Sequence, residues 1–324
     1  MHKQRSNRTP VSRSWKTPAI SHPRPEAVGL GVAGCDSVIC DSPGEEHRGA
    51  TIIFASGKGG VGKTNVVANL AATLAAGGRK VLAVDGNLGL ANLDILLGLT
   101  PSLTVGHFLE GTHPMESVAI AGPHGLRVIP SASGVEALTR LDAKQVRRLR
   151  EALRRFGRAF DVTLIDGPGG ISRLVTQLAG PTDLVVAVTS PESTALMDVY
   201  ALFKVLAREE PRRRLGLIVN FVEDAREGQR VHDSLDRVVS KYLGRALSYW
   251  GHVVRDESLV SAVRKRGLVT ELYPQSPASQ CFEALSLRLV SELEPDFGVD
   301  SSPGIVAMAA VSRALAPGEM ETIH

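Results

Sequence analysis

Apolar residues in this chain gather in short unbroken runs, and the stretches between most of the runs carry apolar positions at helical spacing. The first run, Thr-Ile-Ile-Phe-Ala at 51–55, reads as a strand buried on both faces. After it, Val66, Val67, Leu70, Ala71, Leu74 and Ala75 recur at helical intervals until Gly77-Gly78 stops the pattern, which predicts a helix. Five further runs, at 80–84, 126–129, 161–165, 184–189 and 215–220, predict strands. Helices are expected over 142–156, 192–208 and 228–243, with another pair within 257–264 and 279–293. That alternation predicts an α/β fold with a mainly parallel sheet flanked by helices on both faces.

The turn between the first strand and the first helix carries the chemistry. Residues 57–64, Gly-Lys-Gly-Gly-Val-Gly-Lys-Thr, fill the phosphate-loop pattern G-x-x-x-x-G-K-T. Glycines let the backbone turn its N–H groups toward phosphates, which then sit at the positive end of the following helix. The cradle is therefore expected to comprise Gly57, Lys58, Gly59, Gly60, Val61, Gly62, Lys63, Thr64 and Asn65, with Lys63 on the terminal phosphates and Thr64 on Mg²⁺. ATP and Mg²⁺ are the cofactors implied.

In open sheets of this kind, ligands collect beyond the carboxyl ends of the strands. Asp166, closing the apolar run at 161–165 and followed by Gly-Pro-Gly-Gly, stands where a Mg²⁺-orienting carboxylate belongs, and Gly170 is expected to offer an N–H that senses the γ-phosphate. The segment 85–94 follows the second strand at the same edge.

The string Ser-Gly-Lys-Gly-Gly-Val-Gly-Lys-Thr at 56–64 resembles the deviant Walker A motif of the MinD/ParA ATPases. In that family the additional lysine crosses a nucleotide-sandwich dimer to the other subunit's phosphates, so the resemblance implies ATP-dependent homodimerisation through Lys58. Residues 85–94 are similar to the switch I segment of MinD-type proteins, especially the flagellar branch called FlhG, FleN or YlxH, which implies that Asp85 joins the Mg²⁺ shell. Segments 122–130 and 190–200 look like the same branch. By the same resemblance, Asn220 contacts adenine, and 251–256 forms the neighbouring adenine-side loop with Arg255 and Asp256. One residue departs from the pattern: Asn87 stands where an aspartate is common and is thought to position the attacking water. An amide cannot act as an anionic base, although it can still bond a water, so firm ATP binding with slow hydrolysis is expected.

Composition sharpens this picture in three ways. With 324 residues and 43% hydrophobic content, the chain can bury a full core, and no run approaches the ~20 apolar residues needed to cross a bilayer. The net charge of +3 is misleading, because Lys3, Arg5, Arg8, Arg13, Lys16 and Arg24 precede the first acid, Glu26, and without them acids outnumber bases. Residues 1–48 accordingly read as a basic, disordered arm, 49–295 as the ATPase body and 296–324 as a tail. Three cysteines supply neither a disulfide framework nor a cluster site, and Val-Ala-Gly-Cys at 32–35 lacks the firm hydrophobic segment of an export signal, so a cytoplasmic location is expected.

Partners are less sharply marked. MinD-like and FlhG-like proteins dock on the inner membrane by a C-terminal amphipathic helix, and here Ile305, Val306, Met308, Ala309 and Leu315 could form an apolar side beside a single cation, Arg313. A ParA-like DNA role would use the arginines at 147, 148, 150, 154, 155 and 158 and the cluster 264–266, but the acidic body argues against it. The motif by which FlhG proteins stimulate the GTPase FlhF is missing from residues 1–49, which leaves an FlhF-like GTPase or other flagellar assembly proteins as open partners. Division-site placement, chromosome or plasmid partitioning and nucleotide sensing with little hydrolysis remain alternatives.

Overall fold

The computed structural model describes residues 49–132, 141–178 and 184–293, all within the compact unit Glu46–His324. The basic arm, with 32–35 and its cysteines, and the tail at 296–324 lie outside the described residues.

Eight strands form one sheet: β1 (Ala50–Ser56), β2 (Val81–Asp85), β3 (Ile120–Ala121), β4 (Arg127–Ile129), β5 (Val162–Gly169), β6 (Leu184–Thr189), β7 (Arg214–Val222) and β8 (Ser248–Val254). Their order is β3-β4-β2-β5-β1-β6-β7-β8, and every pairing is parallel except β3 with β4. Parallel neighbours need crossovers, and the helices that provide them cover both faces. One face carries α1 (Lys63–Ala76), α9 (Glu257–Arg264), α10 (Val269–Leu272) and α11 (Pro277–Leu293) over a core that includes Phe54, Val186, Trp250 and Phe282. The opposite face carries α3 (Val105–Glu110), α4 (Met115–Val118), α5 (Ala143–Gly157), α6 (Arg173–Leu178), α7 (Ser193–Glu209) and α8 (Ala225–Leu243) over Ile53, Ile129, Leu149 and Phe203. A short α2 (Leu93–Leu96) follows β2.

Local chemistry sets the element ends. Asp142 and Gln145 exchange hydrogen bonds as a capping box at the start of α5, where the sequence pattern placed it. Helix α8 begins three residues before the expected 228, because the Asp224 side chain accepts from the Glu227 N–H at 2.7 Å and a polar first turn hides the periodicity. Strand β5 runs to Gly169 rather than stopping at Ile165, since Ser56 of β1 still pairs with Gly169 across a register shift.

The largest correction concerns 251–256. Residues up to Val254 belong to β8, and only Arg255 and Asp256 lie beyond its end. Gly251 and His252 interrupt the apolar run, and as an edge strand β8 is only partly buried, so neither signature of a strand was present.

Candidate functional site

The site forms where the sheet brings separate strand ends together. Phe54 of β1 is in register with Asp166 of β5, and Asp166 is in register with Asp85 of β2, so two carboxylates face each other beside the loop that leaves β1. Gly62, in the left-handed region at φ 80°, ends that loop and begins α1. A side chain there would be strained and would strike the Asn220 amide, 2.3 Å from an added Cβ. An added Cβ at Gly57 would lie 2.2 Å from the Asp198 backbone of α7, whereas Gly59 and Gly60 have open space above them. Close packing below and openness above are what a phosphate cradle requires.

The loop's two lysines occupy opposite environments. Lys63 is buried, and its Nζ pairs with Asp166 Oδ1. Lys58 is 44% exposed and reaches sideways to Glu192 Oε2 at 2.7 Å, a contact that raises the lysine pKa and lowers that of the carboxyl.

Asp85 is 1% exposed. Its oxygens accept the N–H groups of Asn87, Asn92 and Leu93 at 3.0, 3.1 and 3.2 Å, which favour the charged form. Burial, followed by repulsion from Asp166, outweighs them and pushes the carboxyl up to about 7. Asp166 is fully buried, and its Oδ2 has no hydrogen-bond partner among the described residues. An orphaned carboxylate oxygen beside a second acid is the kind of donor set a hard cation relieves. Among the described residues no group of three or more His, Cys, Asp and Glu could hold a metal by itself. The donor set therefore fits Mg²⁺ that keeps waters and shares phosphate oxygens, with Asp85, Asp166 and the Thr64 hydroxyl as candidate protein donors.

The neighbouring turns are held by bonds to the loop or within themselves. Asn87 donates from Nδ2 to Leu90 O at 2.9 Å, so its carbonyl oxygen is the end available to a water. Gly170, at φ 78°, gives its N–H to Ser56 O at 2.8 Å. The phosphate loop, Asp85, Asn87, Asp166 and Gly170 thus converge at one edge.

Asn220, Arg255 and Asp256 do not join them there. With Gly62 and Asn65 at the loop's helix end they line an adjoining cleft of about 640 Å³, completed by Phe221 and the apolar side of α9. Asn220 donates to Val61 O and accepts from Phe221 N–H, both at 2.9 Å. Arg255 Nε donates to Phe221 O at 2.8 Å, while Asp256 caps α9 through Ser258 N and accepts from Ala278 N at the start of α11. Both Asp256 oxygens are thus engaged in holding helices. Sequence reasoning missed Glu192 as the seat of Lys58, Phe221 in the cleft and the buried Asn69 behind Asn65. For Asn69 a signal existed: a polar residue on an apolar helix, four residues after another asparagine.

Of the arginines that a DNA-binding role would use, three make contacts within the fold, two of them surface pairs that leave the side chains exposed. Arg148 stacks over the Phe108 ring, Arg147 reaches Glu151 at 3.9 Å and Arg155 reaches Glu116 at 3.7 Å.

A parallel sheet, a glycine loop opening into a helix, and paired acids at the adjoining strand ends define a phosphate-loop nucleotide-binding protein. The chain matches the family described as the CobQ/CobB/MinD/ParA nucleotide binding domain over residues 52–269 and belongs to that family. It is 38% identical to the antiactivator FleN of Pseudomonas aeruginosa, over 76% of this chain and 89% of that protein. It is 32% identical to the flagellum site-determining protein YlxH of Helicobacter pylori, over 77% and 85%. Its fold superposes with a TM-score of 0.66 on the septum site-determining protein MinD of Pyrococcus horikoshii in complex with Mg-ADP, at 26% identity, covering 77% of this chain and 99% of that one.

Proposed function

We propose that this chain is a MinD-like ATPase switch that binds Mg-ATP, pairs with a second copy of itself and in that state regulates the placement or number of flagella. The flagellar assignment draws on its likeness to FleN and YlxH. The paired state draws on one observation: Lys58 leaves its own loop and lies half exposed on the exposed Glu192, ready to exchange that weak surface pair for a phosphate across an interface. Lys63 and the loop N–H groups would hold the terminal phosphates, and Thr64, Asp85 and Asp166 would hold Mg²⁺, which would supply neutralisation of the phosphate charge. Asn87 orients the attacking water through its carbonyl oxygen, and hydrolysis is slow because the amide takes no proton. Gly170 reports the γ-phosphate by surrendering its bond to Ser56. Asn220 reads the base with the lone pair and the N–H left over from its two existing bonds, Arg255 fixes the strand end beside it, and Asp256 shapes the cleft as a helix cap.

Analytical ultracentrifugation tests the switch. Wild type is expected to dimerise with ATP and Mg²⁺ and the Lys58→Ala variant to stay monomeric; undiminished pairing in the variant would refute the assignment. Likeness to MinD favours a second reading, division-site placement. Deleting the gene separates the two: altered flagellar number with normal septa supports the first, and misplaced septa with normal flagella the second. On this reading, drawn from likeness to MinD, the protein works in the cytoplasm, with peripheral docking on the inner membrane as an open option; among the described residues no helix is long and apolar enough to cross a membrane.

A further inference from the structure

Asn69 lies in the middle of α1 with 1% of its surface exposed, and nothing in the site as described uses it. Its Oδ1 receives the main-chain N–H groups of Val269 and Thr270, at 3.0 and 3.4 Å, and the Thr270 hydroxyl at 3.4 Å. These two N–H groups open α10, whose preceding residue, Leu268, supplies no side-chain cap. Asn69 therefore caps a helix 200 residues away in sequence.

That contact fixes which way the amide points. A main-chain N–H can only donate, so the end of Asn69 facing α10 is its oxygen and the opposite end is its NH₂. The NH₂ donates to Asn65, one turn earlier, at the main-chain oxygen (3.0 Å) and at Oδ1 (2.5 Å). Asn65 thus turns its own oxygen inward. Its NH₂ is left facing the cleft that it lines with Gly62 and Asn220.

We propose that Asn69 is a positioning residue: anchored by the first turn of α10, it locks Asn65 so that the Asn65 NH₂ is presented to the α-phosphate of the bound nucleotide. The α-phosphate is the acceptor because Asn65 follows Thr64 in the first turn of α1, where a phosphate loop gathers the α- and β-phosphates. This inference rests on the nucleotide reading above, and it adds a buried relay that makes the nucleotide contact depend on the seating of α10.

The test uses the full chain, Mg-ADP and titration calorimetry at pH 8. In Asn69→Asp the carboxylate still accepts both α10 N–H groups, and with those donors it is ionised at that pH. It cannot donate to Asn65, whose amide must turn over. The variant should still fold, with its melting lowered because the new carboxylate is buried against the Asn65 main-chain oxygen, and ADP binding weakened about tenfold is expected, the size of one hydrogen bond to a charged group. Adding Asn69→Asp to Asn65→Ala should cost nothing beyond Asn65→Ala alone. A residue that merely caps α10 would leave Asn69→Asp binding like wild type, and that result overturns the proposal. Should Asn69→Asp fail to fold, the wild-type side-chain amide NMR signals decide: ADP is expected to shift the Asn65 NH₂ pair, and an unmoved pair overturns the proposal. Wild-type protein that binds no ADP would instead sink the underlying nucleotide reading.

Discussion

At the carboxyl ends of β1, β2 and β5, Lys63, Asp85 and Asp166 are buried together, whereas beyond β7 and β8 the same ligand-binding edge opens into a cleft walled by asparagine amides, Phe221 and aliphatic side chains of α9. On the first side, Lys63 and Asp166 each depend on the other, while Asp85 is costly because of burial and its neighbour's repulsion. On the second, Asn220, Arg255 and Asp256 are already bonded within the fold, the Asn65 NH₂ is left over, and a ligand would meet much apolar surface. On the proposed reading, the contrast predicts where binding energy and regulation reside: the acid side should respond strongly to phosphate, cation and pH, while the cleft side should contribute shape and modest hydrogen bonding.

The sharpest way to break this comparison is Lys63→Ala, which strips Asp166 of its ammonium and the terminal phosphates of theirs. Removing one partner of a desolvated, hydrogen-bonded charge pair costs about 2–5 kcal/mol of binding, so ATP affinity by calorimetry should fall more than about thirtyfold. An effect no larger than that of a base-side substitution would erase the distinction.

Asp85 offers a test through pH. Its carboxyl ionises near 7 in the folded chain and near 4 when unfolded, so its stabilising contribution is full below about pH 4 and is lost as the pH climbs toward 7. Without nucleotide, Asp85→Asn should therefore raise unfolding stability at pH 8, on the order of 2 kcal/mol in urea titrations, and flatten its decline between pH 5 and 8. Equal pH profiles for the two proteins would show that the buried acid pair is not strained.

Asn87→Asp should speed single-turnover hydrolysis at least about tenfold, below the 10²–10⁴ typical of a well-placed general base because the new carboxylate forfeits the Asn87 bond to Leu90. Equal rates in the two proteins would show that the amide is no handicap.

The smallest effect belongs to the base side. Arg255 is exposed, and its ion pair with Glu223 at 3.4 Å lies in solvent, where such pairs contribute about 0–1 kcal/mol. Arg255→Ala should weaken ATP binding by no more than about threefold. A loss rivalling that of Lys63→Ala would move the weight of recognition to the cleft.

The phosphate side was legible because its parts are local. Eight successive residues make the loop, the helical spacing from Val66 to Ala75 places the helix behind it, and apolar runs ending in aspartate mark the strands that supply the acids. The cleft residues were singled out only by resemblance, and their role toward a base stands as a proposal. Strand β8 carries no clean pattern, Asp256 looks like a site residue while it caps α9 and receives an α11 N–H, and Phe221 takes a left-handed φ of 61° that its residue type does not announce.

Sequence by itself determined the alternating architecture and the loop chemistry, because periodicity and glycine placement act over a few neighbouring residues. Tertiary structure decided the rest. The mutual repulsion of Asp85 and Asp166, the seat of Lys58 on Glu192 and the orientation of Asn65 through Asn69 each arise between segments from 4 to 200 residues apart. Hydrogen-bond direction and dielectric burial are properties of the assembled surroundings, and only folding brings those surroundings together.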